Sequence, residues 1–222
     1  MIIGCLQSLK RNKMEKKNQR STSIIFDLGG VLLNIDYNKT VEAFRKLGMP
    51  NPEQAFTKEI QAELFQKLEK GIISEKLFIE ELKKHFDGST EQEIVDAWCA
   101  LLLDFPIKRY EFLKKLSANY RLFVLSNTNI IHLKAFQKII DKTVGWSEFT
   151  SLFEGIGYSH ELNSRKPDAE IFEKILNKYS LDREKTTFID DTLEHVESAR
   201  RVGLEAIHLK DGNEIWDVLS DF

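Results

Sequence analysis

The stretch Ile24-Ile25-Phe26-Asp27-Leu28-Gly29-Gly30-Val31-Leu32-Leu33 decides the fold. Its apolar start reads as a strand buried on both faces, as in a parallel sheet covered by helices. Asp27 closes that run, and Gly29 and Gly30 let the backbone turn and come close to a ligand. An Asp on such a turn faces the crevice beyond the strand's carboxyl end, where open α/β sheets bind ligands. Turn chemistry alone would also place an Asp there, so the neighbouring motifs decide between the readings.

Two more apolar runs end in oxygen-rich side chains. Arg121–Leu125 leads into Ser126-Asn127-Thr128-Asn129, and Thr187–Ile189 leads into Asp190-Asp191-Thr192. Between them, Arg165-Lys166-Pro167-Asp168 precedes the helical spacing Ile171, Phe172, Ile175, Leu176. Singly, each motif has a plain explanation. Ser126-Asn127 would serve as a turn or an N-cap, and Lys166 as a solvated loop lysine. Asp190-Asp191 would cap a helix from about Leu193 to Val202, which Gly203 ends. Two adjacent acids at the end of an apolar strand still need a countercharge. Parallel neighbouring strands would bring all these groups to one edge of one sheet.

In order and spacing, these four motifs resemble the haloacid dehalogenase-like superfamily of aspartate-nucleophile hydrolases, from about Ser23 to Leu209. Phe-Asp-Leu-Gly, Leu-Ser-Asn-Thr-Asn and Arg-Lys-Pro are also similar to its bacterial sugar-1-phosphate phosphatase subgroup. The resemblance implies Asp27, Ser126 and Lys166 as catalytic residues, with Ser126, Asn127 and Lys166 binding the substrate phosphate. It implies the Gly29 carbonyl as a metal ligand. The chemistry of the residues agrees. A carboxylate can attack phosphorus and form an aspartyl-phosphate, splitting one hard step into two. A phosphate dianion repels that carboxylate, so a cation must lie between them. Mg²⁺ prefers oxygen ligands and one or two carboxylates, here Asp27 and Asp191 with Asp190 beside them. The Ser126 hydroxyl and the Asn127 N–H would bind the equatorial oxygens, and Lys166 would neutralise the cluster.

Two departures qualify the resemblance. Most phosphatases of the superfamily carry a second Asp two residues after the nucleophile, as general acid and base, and this chain has Gly29. His195 stands where the fourth motif often has Asp or Asn, and it reads as a supporting or surface residue rather than a ligand. Gly29 leaves three options: substrates whose leaving group needs little protonation, such as an anomeric phosphate, which the subgroup resemblance favours; another acid, Asp36 or one from the helical insert; or feeble activity.

About 70 residues separate the first and second motifs, and they show almost no strand pattern. Val41, Phe44 and Leu47 recur at helical spacing, as do Phe56, Ile60, Leu64 and Leu68, then Leu77, Phe78 and Leu82, then Ile94, Val95, Trp98, Leu101 and Leu102. Asn51, Ser74 and Ser89 or Thr90 read as helix starts. The expected architecture is α/β: a Rossmann-like doubly wound parallel sheet with an inserted four-helix cap of the C1 type. The core would comprise residues 21–35 and 106–222, and the cap residues 36–105. Glu69-Lys70-Gly71, between two cap helices, would either face the site or end a solvated helix. Helices over Tyr110–Leu116 and residues 130–140, and strands over Leu152–Tyr158 and Ala206–Leu209, complete the reading.

At 222 residues, 42% hydrophobic and 30% charged, the chain suits one soluble domain with an insert. The net charge is −3; the first twenty residues hold six Lys or Arg against one Glu, so the rest carries −8. That balance argues against nucleic acid as a partner. The basic leader, residues 1–20, reads as a disordered tail or as sequence ahead of a true start at Met14. Ile2-Ile3-Gly4-Cys5 only faintly resembles a lipoprotein cleavage box. No apolar run reaches the roughly 18 residues that span a bilayer. Cys5 and Cys99 give no disulfide framework and suit a reducing cytoplasm, with Cys99 in a helical core. The expected activity is Mg²⁺-dependent hydrolysis of a small phosphorylated metabolite, a sugar phosphate, by a cytoplasmic monomer or dimer without a membrane partner. The alternatives are a metal-free dehalogenase-type hydrolase, or a weakly active protein that binds a phosphate ligand for regulation.

Overall fold

The computed structural model describes residues 21–55 and 59–220. The basic leader with Cys5 and Met14, Phe56, and the side chain of Ile60 lie outside the described residues. Five strands form one parallel sheet in the order β3-β2-β1-β4-β5: β1 Ser23–Phe26, β2 Arg121–Ser126, β3 Gly155–Tyr158, β4 Thr186–Asp190 and β5 Glu205–His208. Alternate side chains of each strand enter opposite cores, because successive residues of a strand point to opposite faces. Ile24, Phe26, Val124 and Ile189 pack on one face, with Leu113, Phe136 and Phe149 from helices. Ile25, Phe123, Leu125 and Phe188 pack on the other, with Phe172, Ile175 and Val196. Covering both faces makes the sheet doubly wound and explains why its strands read as continuous apolar runs.

β1 lies at the centre, and the chain leaves it first towards β2 and β3 and later, on its other side, towards β4 and β5. The ends of β1 and β4 therefore border the point where the strand order reverses, the usual ligand crevice of such sheets. The Asp27 N–H donates to the Ile189 carbonyl at 2.8 Å, so the register of β1 on β4 runs into the crevice. Arg109 fastens the loop after β1 from below. It donates to the Leu32 carbonyl at 3.2 Å and to Asn34 Oδ1 at 2.9 Å, and it is ion-paired with Glu214 at 2.8 Å.

Between β1 and β2 the chain forms helices α1 Tyr37–Lys46, α2 Pro52–Ala55, α3 Glu59–Glu69, α4 Glu75–Lys83 and α5 Glu91–Cys99. Their apolar faces make a core of their own from Phe44, Phe78, Leu82, Ile94 and Trp98, closed by Ile131 of the main body. Starts at Ser74 and Thr90 behave as read: Ser74 Oγ accepts the Leu77 N–H, and Thr90 forms a capping box with Glu93. Asn51 differs, standing at φ 50° before Pro52 rather than in the extended region of an N-cap. The fourth apolar pattern also overshoots its helix. α5 ends at Cys99, and Leu102 instead pairs with Ile35 in an antiparallel bridge between the two connecting segments. Cys99 is half-buried rather than a core thiol, and burial pushes it up to about 12.

The helix after the second motif, α7 Ile130–Thr143, is longer than read and follows α6 Ile107–Leu116. Asn129 starts it by accepting the Ile131 and His132 N–H groups. The strand expected from Leu152 begins only at Gly155. Leu152 and Phe153 close turns back onto Phe149 and Thr150 of α8 Trp146–Thr150, so their apolar side chains fill the core from a turn. Among the described residues, no helix is long and apolar enough to cross a membrane.

Candidate active site

Five of the motif residues converge. Asp27 follows β1, Ser126 ends β2, Asp190 ends β4 with Asp191 next to it, and Lys166 reaches in from the loop before α9 Ala169–Lys178. Lys166 is fully buried, and its ammonium touches three oxygens: Asp27 Oδ1 at 2.7 Å, Asp190 Oδ2 at 2.6 Å and the Leu125 carbonyl at 3.0 Å. Burial disfavours its charge, but the two carboxylates outweigh burial and hold its pKa above the ordinary lysine value. The loop that carries it is clamped by the Asn127 side chain, which accepts the Lys166 N–H at 2.8 Å and donates to the Lys166 carbonyl at 2.9 Å.

Asp27, Asp190 and Asp191 each offer an oxygen within 4.8 Å of the others. Three carboxylates against one ammonium leave an excess of negative charge in a confined site. Burial first, and then Asp190 and Asp191, push Asp27 up to about 7 against the pull of Lys166. Burial and Asp190 likewise raise Asp191. Asp190 goes the other way: burial opposes its ionisation, but Lys166 and His195 overcome that and hold it at about 2. Oxygen donors packed this closely, with one cation too few, fit a divalent hard cation. The two acids of the pair differ in use. Asp190 is fully buried and already committed, to Lys166, to the Thr192 N–H at 2.8 Å and to His195 Nδ1 at 3.1 Å. Asp191 lines the open cleft with Asp27 and Gly29.

Gly30 is required by this packing. It stands at φ +79°, and a Cβ there would lie 2.0 Å from Asp191 Oδ2. Gly29 borders the same cleft, and Ile35 covers the space a side chain would occupy, its Cδ1 3.2 Å from the Cβ position. Asp36 is spent elsewhere, accepting the Asn38 N–H at the start of α1. His195 lines the cleft wall, and its Nδ1 lies within hydrogen-bond distance of the buried Asp190, at 3.1 Å.

The cleft, about 220 Å³, lies between these strand ends and the helical insert. Glu69 faces it from the end of α3 and pairs with Arg165 at 2.9 Å; Lys70 pairs with Asp168 at 3.0 Å. Gly71 completes the contact at φ +65°, where a Cβ would stand 2.2 Å from the His160 carbonyl. Sequence reasoning singled out the turn but not its partners, because an ion pair across 96 residues leaves no local signal. It also missed His132, which burial lowers to about 4 and which stacks on Trp98 at 4.8 Å. Its one cue was a polar residue on the apolar face of α7.

The family description of a haloacid dehalogenase-like hydrolase matches residues 22–203. A D-ribitol-5-phosphate phosphatase of Bacteroides thetaiotaomicron is 27% identical over 205 residues, 86% of this chain and 92% of that protein. A haloacid dehalogenase family enzyme of the same organism, crystallised with magnesium and inorganic phosphate, superposes with a TM-score of 0.81 at 30% identity, covering 89% of this chain and 98% of that one. A haloacid dehalogenase-like hydrolase of Porphyromonas gingivalis gives a TM-score of 0.80 at 28% identity, over 90% and 97%.

Proposed function

The chain belongs to the haloacid dehalogenase-like hydrolases, and we propose that it is a Mg²⁺-dependent phosphatase of a small sugar or alditol phosphate. The observation that carries this reading is the cluster of Asp27, Asp190 and Asp191 around one buried lysine, which lacks a positive charge. A magnesium ion would be held by Asp27, Asp191 and the Gly29 carbonyl, and when bound it screens the phosphate dianion from the attacking carboxylate. Asp27 attacks phosphorus and forms an aspartyl-phosphate; water then releases inorganic phosphate. Lys166 holds Asp27 in place and offsets the charge of the carboxylates and the phosphoryl oxygens. Ser126, buried at the end of β2, and the Asn127 N–H supply donors to those oxygens. The helices of residues 36–105 act as a cap, excluding water and choosing the organic part of the substrate.

The named D-ribitol-5-phosphate phosphatase and the magnesium–phosphate complex support both the metal and the substrate class. A dehalogenase-type reaction, in which Asp27 attacks carbon, has no use for so many gathered carboxylates. Phosphate release from ribitol 5-phosphate and glucose 6-phosphate, with and without Mg²⁺, tests the reading. Metal-dependent turnover is expected, and Asp27→Asn should reduce it by at least about a thousandfold with the fold intact, as loss of a nucleophile does elsewhere. Turnover unaffected by chelation would refute it. Phosphate binding without turnover would favour a regulatory protein.

A further inference from the structure

Position 29, two residues after the nucleophile, carries no side chain, so a proton for an alkoxide leaving group must come from elsewhere in the cleft. An alkoxide is about as basic as hydroxide, whose parent acid, water, has a pKa of about 15.7. Several polar groups near the reacting centre are engaged. Asp36 accepts the Asn38 N–H at 2.9 Å, Glu69 is paired with Arg165 at 2.9 Å, His195 Nδ1 faces Asp190 at 3.1 Å, and Thr192 Oγ1 lies 3.4 Å from Asp191. Tyr37 is different. It lines the cleft with Asp27 and Asp191, and its hydroxyl has no hydrogen-bond partner among the described residues.

The place of Tyr37 is fixed by the chain that leaves the nucleophile. Ile35 is bridged to Leu102, the Asp36 N–H donates to the Leu101 carbonyl at 2.8 Å, and Tyr37 is the first residue of α1. It is 63% exposed, so a substrate in the cleft can reach it. Desolvation by the cleft walls first, and then the charges of Asp27, Glu69 and Asp191, push its pKa up to about 12 against the pull of Lys166. The phenol therefore keeps its proton at neutral pH, and it remains a stronger acid than the alcohol it would serve. The Ser126 and Thr128 hydroxyls also border the cleft, but an alkyl hydroxyl is a far weaker acid than a phenol.

Resting on the phosphatase reading of the same site, we propose that Tyr37 is the general acid of the reaction, giving its proton to the leaving oxygen of the sugar or alditol ester. An Asp27 carboxylate oxygen bonds to phosphorus while the bond from phosphorus to the ester oxygen breaks. The electron pair of that bond stays on the ester oxygen, which takes the Tyr37 proton and departs as the alcohol. A water molecule then cleaves the aspartyl-phosphate, regenerating the carboxylate and giving inorganic phosphate. The tyrosinate takes back the proton that this water gives up.

The test measures kcat/KM of the parent protein and of Tyr37→Phe, with Mg²⁺, on ribitol 5-phosphate, glucose 6-phosphate and p-nitrophenyl phosphate. General acid catalysis typically contributes about 10²–10⁴-fold, and little of that is needed by a leaving group stable as an anion. Tyr37→Phe is expected to lose at least about a hundredfold on the alkyl ester that the parent hydrolyses best, and less than about threefold on p-nitrophenyl phosphate, which also shows the site intact. Across substituted phenyl phosphates, kcat/KM should fall more steeply with rising phenol pKa in the variant than in the parent. Equal losses on all substrates, or no loss on the alkyl ester, overturn the inference while leaving the phosphatase reading standing. So does a parent protein that hydrolyses p-nitrophenyl phosphate alone, because a working acid releases alkoxides. No metal-dependent release of phosphate from any of the three overturns both.

Discussion

At the residue scale, Lys166 illustrates how burial and function are reconciled. A buried ammonium survives because two carboxylates and a carbonyl satisfy it; removing one partner of such a group typically costs about 3–5 kcal/mol. Gly30 is the most position-specific residue of the site. In Gly30→Ala the methyl group meets Asp191, and the left-handed backbone adds roughly 1–2 kcal/mol of strain. Moving Asp191 is expected to weaken Mg²⁺ by about tenfold, or about 1.4 kcal/mol, without unfolding the protein. Titrating activity against Mg²⁺ in both proteins checks this.

At the element scale, the contacts that hold the insert to the sheet domain include the turn Glu69-Lys70-Gly71, clasped by Arg165 and Asp168, the ion pair of Lys134 on α7 with Glu75 on α4, and the joint of α5 with α7. In that joint His132 lies within hydrogen-bond distance of the Trp98 carbonyl, at 3.1 Å. Its folded pKa of about 4 lies below the ordinary 6.5, so the unfolded chain takes up the proton first as the pH falls. Stability is therefore full above pH 6.5 and is lost between 6.5 and 4. From pH 7 to pH 5 this group accounts for a loss of about 2 kcal/mol. Urea denaturation should show His132→Gln losing much less over that interval than the parent protein does.

At the scale of the whole molecule, the site is a place where folding stability is spent on charge. Asp27 ionises near 7 in the metal-free fold and at 3.8 in an ordinary carboxyl, so its proton favours the fold in acid. That advantage fades as the pH rises from about 4 to 7. Mg²⁺ must displace the proton, so its affinity should strengthen up to that pH. At a hundred times its dissociation constant, Mg²⁺ adds about 2.7 kcal/mol, or roughly 5–10 °C in Tm for a domain of this size. Thermal denaturation should show that shift growing from pH 6 to pH 8 and vanishing in Asp191→Asn.

The parallel sheet, the helical insert and the four motif positions were legible in the sequence, because strand ends, apolar periods and turn residues are local signals. Asp27, Ser126 and Asp190 each close an apolar run, and that alone places them at the crevice edge. Only the folded chain separated Asp190, buried and committed to Lys166 and His195, from Asp191, which faces the cleft. It also ended α5 at Cys99 and turned Leu102 onto Ile35, although the apolar spacing ran on unbroken. The clasp of Glu69 on Arg165 and the gathering of Tyr37 with Asp27 and Asp191 in one cleft belong to the tertiary structure as well. They join residues distant along the chain, and pairing of that kind depends on how elements pack, which no local pattern of residues encodes.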